Sequence, residues 1–346
     1  MGIHCEIYLH KPPNGAFVGV RGNVVSGVIR YVVNVPTTIT EITASIKGEG
    51  IMKVEYLLRR DDQKQPETEI RTETYIDVNT ISQSGLTVLQ VGAYDLPFRV
   101  IIPHDIPPTS KYVKYGNIHN VTCKISYHVR IRFSRPGLMT FAKQFTKEII
   151  IIAALVPRLP TSPAIYNGHK KLTQLFSSKQ SHINIKANVP NSVLRCGDKI
   201  ELNYEVINDT NVVIKSVEVK VVEVYTFNPL SGREVVITEN VPGTETKTVA
   251  IQKGGTQEMS VEITMPADRE SLDHSKIVSR EYFVLLIVNL PMPHRNYVQK
   301  IPIQIGNNIH DSVVQFDNHL ISQPPSYWDA MHEDWGDTKD YQHKTK

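Results

Sequence analysis

From Glu6 to Gly306 the chain is a succession of short runs rich in β-branched residues, each closed by Gly, Pro, Asn or Asp, and helical periodicity is nearly absent. Gly27 to Val33, Ile39 to Ile46, Asn117 to Phe133, Lys199 to Val206, Val212 to Val224, Met259 to Met265 and Tyr282 to Asn289 each alternate apolar and polar residues. Successive side chains on a strand point to opposite faces, so each run can bury one face and wet the other. Strands at regular spacing with turn signals between them, and no helix alternating with strand, predict antiparallel sandwiches and an all-β fold. They argue against an enzyme of the doubly wound or barrel type.

A length of 346 residues suffices for two domains with separate cores. The first is expected over residues 1–157, where the apolar strand Phe145 to Leu155 ends at Pro157. Residues 158–181, with Pro, Ser and Lys and little strand pattern, read as a linker. A second strand series opens at Ile183-Asn184-Ile185-Lys186-Ala187 and closes with Ile301 to Gly306, giving a domain over 182–307. Residues 308–346 read as a flexible, disordered tail. The stretches Gly22 to Val33 and Cys196 to Ile207 share a glycine followed by apolar alternation, as a duplicated sandwich would.

The longest apolar run, Ile149 to Val156, is about a third of what a bilayer crossing requires. The start of the chain lacks a basic segment followed by an apolar one, so no secretory signal is expected, and Glu6 makes Gly2 a poor myristoylation site. Cys5, Cys123 and Cys196 are widely spaced with no histidine at ligand spacing, which predicts neither a disulfide framework nor a metal site and fits a reducing, cytoplasmic setting. The sequons at Asn120 and Asn208 then read as strand or turn sequence. Net charge is +3, divided between +7 on residues 1–310 and −4 from Asp311 onward. That body is basic enough for weak contact with acidic lipid or phosphorylated segments and far short of a nucleic-acid footprint.

The polar tail carries Gln323-Pro324-Pro325-Ser326-Tyr327-Trp328. Two prolines pre-set the polyproline II conformation, and a tyrosine two residues on supplies an amphipathic anchor, which is the ligand chemistry of WW domains. The surrounding acids and polar residues have no sustained apolar period, so this segment should stay solvated and available. Pro324, Pro325 and Tyr327 are the candidate WW-domain-binding residues. Trp328 and Trp335 either extend that contact or fold back on the body.

Three further strings carry a family resemblance. They are Val91 to Pro103 with Ile106-Pro107-Pro108-Thr109-Ser110 and Tyr115-Gly116-Asn117-Ile118; Cys196-Gly197-Asp198-Lys199-Ile200 through Thr210; and Tyr282 to Leu290 with Ile301 to Gly306. Together with the Pro-Pro-x-Tyr tail they resemble the arrestin-domain-containing proteins, or α-arrestins, with Cys196 standing where that family often has proline. The first string reads as an edge strand interrupted by Pro97, a proline-rich corner and a return strand whose Val121, Cys123, Ile125, Tyr127, Val129 and Ile131 face one core. The resemblance covers about residues 1–307 and implies two tandem arrestin-type, immunoglobulin-like sandwiches. It also implies an adaptor whose body meets a transmembrane receptor or transporter cargo and whose tail recruits a HECT-type ubiquitin ligase. Ubiquitination, endocytosis and protein transport would follow, from a cytoplasmic pool recruited to plasma membrane and endosomes.

Rival readings are a cargo-sorting endosomal scaffold of the same fold without ligase recruitment, and a receptor arrestin. The first has no use for an exposed Pro-Pro-x-Tyr. The second needs a buried charged core between the domains and a returning C-terminal strand, for which Val313-Val314-Gln315-Phe316 is the one candidate. An enzyme reading finds no nucleophile with a base: His104, His119 and His128 lack carboxylates at fixed spacing, and Gly48-Glu49-Gly50 precedes no helix. No cofactor is expected. Lys111, Lys114, Arg130, Arg132, Lys170 and Lys171, with Arg135 and His169, are the candidates for contact with anions or cargo, although charges alternating with apolar residues are what any wet sheet face requires.

Overall fold

The computed structural model describes residues 2–10, 16–19, 24–57, 67–103, 105–137, 142–172, 181–306 and 308–309, and among them there is strand and turn but no helix. The first sandwich opposes two sheets. In one, β1 (Ile3–Leu9) and the edge strand β6 (Gly92–Ile101) flank the central β3 (Val24–Val33), all antiparallel. In the other, β5 (Glu67–Leu89), β4 (Thr37–Tyr56) and β8 (His119–Ser134) pair antiparallel along most of their length. The far side of β8 is shared end to end by β7 (Ser110–Tyr115) and β9 (Lys143–Ile149).

The alternation on β8 is realised as read. Val121, Cys123, Ile125, Tyr127, Val129, Ile131 and Phe133 are all buried in one cluster with Ile29 and Val100 of the facing sheet. Burying this many aliphatic side chains at ~1.5–3 kcal/mol each is the main force opposing chain entropy. Pro97 does not interrupt its strand. It lies within β6 opposite Val28, on an edge strand that pairs only with β3, which is where a sheet tolerates proline.

The second sandwich repeats the plan. One sheet runs β11 (Ala164–Leu172), β12 (Ser181–Val189), β14 (Lys199–Asp209), β18 (Thr256–Thr264). The other runs β13 (Val193–Arg195), β20 (Tyr297–Gly306), β19 (Val278–Asn289), β15 (Ser216–Phe227), β16 (Val235–Asn240), with β17 (Thr246–Lys247) also on β15. Like β3, β14 sits between two antiparallel neighbours, so the two glycine-led stretches that look alike in sequence occupy like places. Its end is closed by Asn208, fully buried, whose amide donates to Val212 O at 2.8 Å and Gln252 O at 3.0 Å while Thr210 Oγ1 donates to its Oδ1 at 2.6 Å. The second sequon is therefore the inside of a turn.

The stretch expected as a linker is partly a strand. Residues 164–172 form β11, paired with β12 over its whole length. An edge strand has one neighbour and one buried face. Here Leu172 lies in the core and Tyr166 packs on it, while Ile165, Asn167, His169 and Lys171 stay exposed, so its composition reads as polar. The single apolar strand expected over Phe145 to Leu155 is likewise two: β9 ends at Ile149 and β10 (Ile151–Leu155) leaves to pair in parallel with β2 (Phe17–Gly19) and β21 (Asn308–Ile309).

Candidate functional site

Where the two sandwiches meet, apolar burial is continuous. Tyr225 and Phe227 of β15, Val235 of β16 and Leu272, Ile277 and Val278 belong to the same buried cluster as the first sandwich's core. Tyr112 of β7, half-buried, packs against it at the junction, its ring centroid 4.2 Å from that of Tyr225 and 5.2 Å from that of Phe227. Burial, and then Glu239, push the Tyr112 phenol far above its ordinary range, so it acts only as a neutral donor. Around this aromatic centre β5 presents every second residue to the other domain. Arg233 pairs with Glu67 at 3.1 Å, the Ser231 N–H donates to Glu69 at 3.0 Å, and Arg71 donates to Asn228 O at 2.7 Å. Ser275 Oγ and the Lys276 N–H donate to Glu73 at 3.1 and 2.8 Å, and Tyr75 OH meets Ser275 at 2.8 Å. A continuous apolar core, ringed by these polar contacts, opposes domain motion.

Behind Tyr225 lies a charged group that sequence reading missed. Arg269 makes two bonds, 2.7 and 2.9 Å, to the buried carboxylate of Glu223, which also accepts from Tyr282 OH at 3.3 Å, and Arg280 reaches Tyr225 OH at 3.3 Å. Buried charge is tolerable when partnered in this way. The one signal available beforehand was Glu223 interrupting the apolar alternation of Val217 to Val224. The group sits within the second sandwich, on β15, β19 and the loop before β19.

The six candidate cations do not converge. Lys111 and Lys114 occupy opposite faces of β7. Lys114 turns toward the second domain and binds Glu239 at 2.7 Å, and Tyr112 OH donates to the same oxygen at 3.3 Å. Lys111 is exposed beside Lys124, its cross-strand partner. Arg130 is held by Ser45 Oγ at 3.1 Å and Asp77 at 3.9 Å, whereas Arg132, on the same outer face, is exposed and has no side-chain partner among the described residues. Lys124 and Arg132 are eight residues apart along β8, roughly 26 Å. In the second sandwich Lys171 and His169 are exposed on the outer face of β11. Lys170 is on its inner face, where burial, and then Arg295, lower its pKa from the ordinary lysine value. Arg135 follows β8.

Of the histidines, His119 stands edge-on to Tyr56 with centroids 5.2 Å apart, His128 faces Lys47 and Glu148 across the sheet, and His104 lies outside the described residues. No group of three His, Cys, Asp or Glu side chains with metal-binding geometry occurs among the described residues. Burial pushes the thiols of Cys5 and Cys123 up to about 12 and that of Cys196 to about 11, leaving all three as neutral, poorly nucleophilic groups at neutral pH. Pro324, Pro325, Tyr327, Trp328, Trp335 and the Val313 to Phe316 segment lie outside the described residues.

Two family models match the chain, and together they span most of it. The model described as arrestin (or S-antigen), N-terminal domain, matches residues 5–156, and that described as arrestin (or S-antigen), C-terminal domain, matches residues 179–310. A search of curated proteins finds no match.

Proposed function

The chain belongs to the arrestin family, and from that premise we propose that it is an adaptor of the α-arrestin kind, bringing a WW-domain ubiquitin ligase of the HECT type to a transmembrane receptor or transporter. Arrestin-family domains point to adaptor and trafficking roles rather than catalysis. The observation that carries the finer reading is the Pro324-Pro325-Ser326-Tyr327 sequence in an acidic, polar tail. Tyr327 enters a WW groove, Pro324 stacks on the partner's aromatic residues, and Pro325 helps hold the polyproline II geometry. The body offers cargo a broad sheet surface whose two halves are clamped by the Tyr112 and Tyr225 junction. On this reading the protein is cytoplasmic and is recruited to plasma membrane and endosomes, where ubiquitination of cargo, adaptor or both leads to endocytic sorting. A single Pro-Pro-x-Tyr lacks the avidity of two linked motifs, so one WW domain binds in the micromolar range or weaker, about −8 kcal/mol at most.

The test is proximity labelling in cells with the wild type and Tyr327→Ala. Ligases should disappear from the labelled set and cargo should remain. Ligase labelling that is unchanged in the variant would leave an arrestin-fold protein with some other means of recruitment.

A further inference from the structure

The first sandwich ends, at the pole away from the second domain, in an apex that is exposed, aliphatic and free of charge. Two connections cross between its sheets there, β3 to β4 and β5 to β6. They lie side by side, because Val33 pairs with Gly92 in one sheet and Thr37 pairs with Leu89 in the other. Val35 and Val91 occupy the two crossings, 58% and 62% exposed. Below them on β5, Leu86 and Ile81 are 72% and 60% exposed, with Val88 between Leu86 and the crossing. Leu86 follows Gly85, whose φ of 107° is open mainly to glycine; Ser84, Gly85 and Leu86 are exposed in succession, so the strand turns Leu86 outward. No Asp, Glu, Lys, Arg or His occurs in residues 31–40 or 78–94, in a chain that is 21% charged.

Behind the apex the charge is positive. On the outer face of the long sheet Thr43 stands between Ile81 and Arg132, so Arg132 lies two strands in from the apolar edge, with β4 between them. Nearby acids are engaged: Asp95 with Arg30 at 3.2 Å, Asp77 with Arg130 at 3.9 Å, and Glu41 with the Thr43 hydroxyl at 2.8 Å. Lys143 donates to the Ile3 carbonyl at the same pole. The exposed guanidinium of Arg132 has no acidic partner among the described residues.

We infer that this apex is a membrane-docking tip, in which Val35, Leu86, Val88 and Val91 enter the headgroup region of an acidic bilayer while Arg132 binds lipid phosphate. An exposed apolar patch rimmed by polar groups marks an interaction site, and its composition selects the partner. Interfaces between proteins are anchored by tryptophan, tyrosine and arginine in fitted pockets. This tip has instead aliphatic side chains on two crossings and a flanking strand, with a cation set back from them, the arrangement that suits a soft apolar medium beneath an anionic surface. The tip goes beyond the ligase-recruiting reading and does not depend on the tail.

The experiment is flotation of the full chain with vesicles of phosphatidylcholine, with and without phosphatidylserine. The wild type and Tyr327→Ala should float equally with acidic vesicles. The double variant Leu86→Ser with Val91→Ser should float about tenfold less, and Arg132→Gln about fivefold less with a weaker dependence on salt. Equal thermal melting of all variants verifies the fold, since the altered side chains are exposed. In Val91→Trp, brominated lipid should quench a blue-shifted emission that the wild type lacks. Failure of the wild type to float, undiminished flotation of the double variant, or the absence from Val91→Trp of a blue-shifted, quenched component beyond the emission of Trp328 and Trp335 would each overturn the inference. So would a dimer that the double variant dissolves without any change in flotation, since the tip would then join two copies of the chain.

Discussion

The rings of Tyr112 and Tyr225, one from each sandwich, lie with centroids 4.2 Å apart and planes inclined by 40°. This contact, with Phe227 and Val235 beside it, makes one buried cluster out of two domains. Both sandwiches should therefore unfold in a single transition followed equally by probes in either half. Tyr112→Ala should lower stability by about 3 kcal/mol, whereas Glu239→Gln, at a half-exposed ion pair, should cost about 1 kcal/mol or less. Urea titration monitored by circular dichroism measures both. Two separate transitions in the wild type would mean that the aromatic contact does not hold the halves together.

Gly48 has no freedom to carry a side chain. A Cβ there would lie within the van der Waals envelope of the Tyr127 ring, and Tyr127 is itself pinned by its hydroxyl donating to Pro107 O at 2.6 Å. Gly48→Ala should cost about 3 kcal/mol through overpacking. Gly85→Ala meets nothing within 4 Å and strains only the backbone, for about 1 kcal/mol. Comparing the two denaturation midpoints separates crowding from conformational strain, and an equal loss in both would refute the distinction.

Lys170 is held below the ordinary lysine range by burial first and by Arg295 second. A cation whose folded-state pKa is depressed penalises the fold in its charged form. That penalty is full below the folded pKa, shrinks as pH rises through it, and is gone above the unfolded value. At neutral pH Lys170→Met should therefore melt no lower than the wild type, and any advantage should fade between the folded pKa and the unfolded lysine value. Arg295→Gln should raise the Lys170 pKa without restoring it fully, as read by a carbon-13 NMR titration of its ε-methylene. A Lys170 resonance that titrates at the ordinary value in the wild type would contradict the account.

Tyr327→Ala in a peptide spanning His319 to Trp335 should abolish binding to isolated WW domains, and Ser326→Ala should leave it intact. Phosphate on Tyr327 should weaken the contact by placing charge in a mostly apolar slot. Calorimetric titration measures all three. Equal affinity of the wild-type and Tyr327→Ala peptides would end the ligase-recruiting reading.

The sequence by itself determined the strand content, the division into two sandwiches and the inward face of β8, because side-chain alternation is a local property that a half-buried strand cannot avoid. The Pro-Pro-x-Tyr motif is equally local as a sequence feature, since three nearby residues carry its chemistry. Edge elements were less legible: β11 looked like a linker because a strand with one neighbour keeps a polar face, and β6 looked interrupted because Pro97 harms a strand only where its N–H is needed. Tertiary structure alone decided which charges are available. Lys111 and Lys114, three residues apart, face opposite sides of one strand, and only packing against Glu239 engages the second in an ion pair. The aromatic junction, the Glu223 group behind it and the uncharged apex likewise join residues far apart in the chain, and such proximity is set by how the sheets fold onto one another, which alternation along any one strand does not encode.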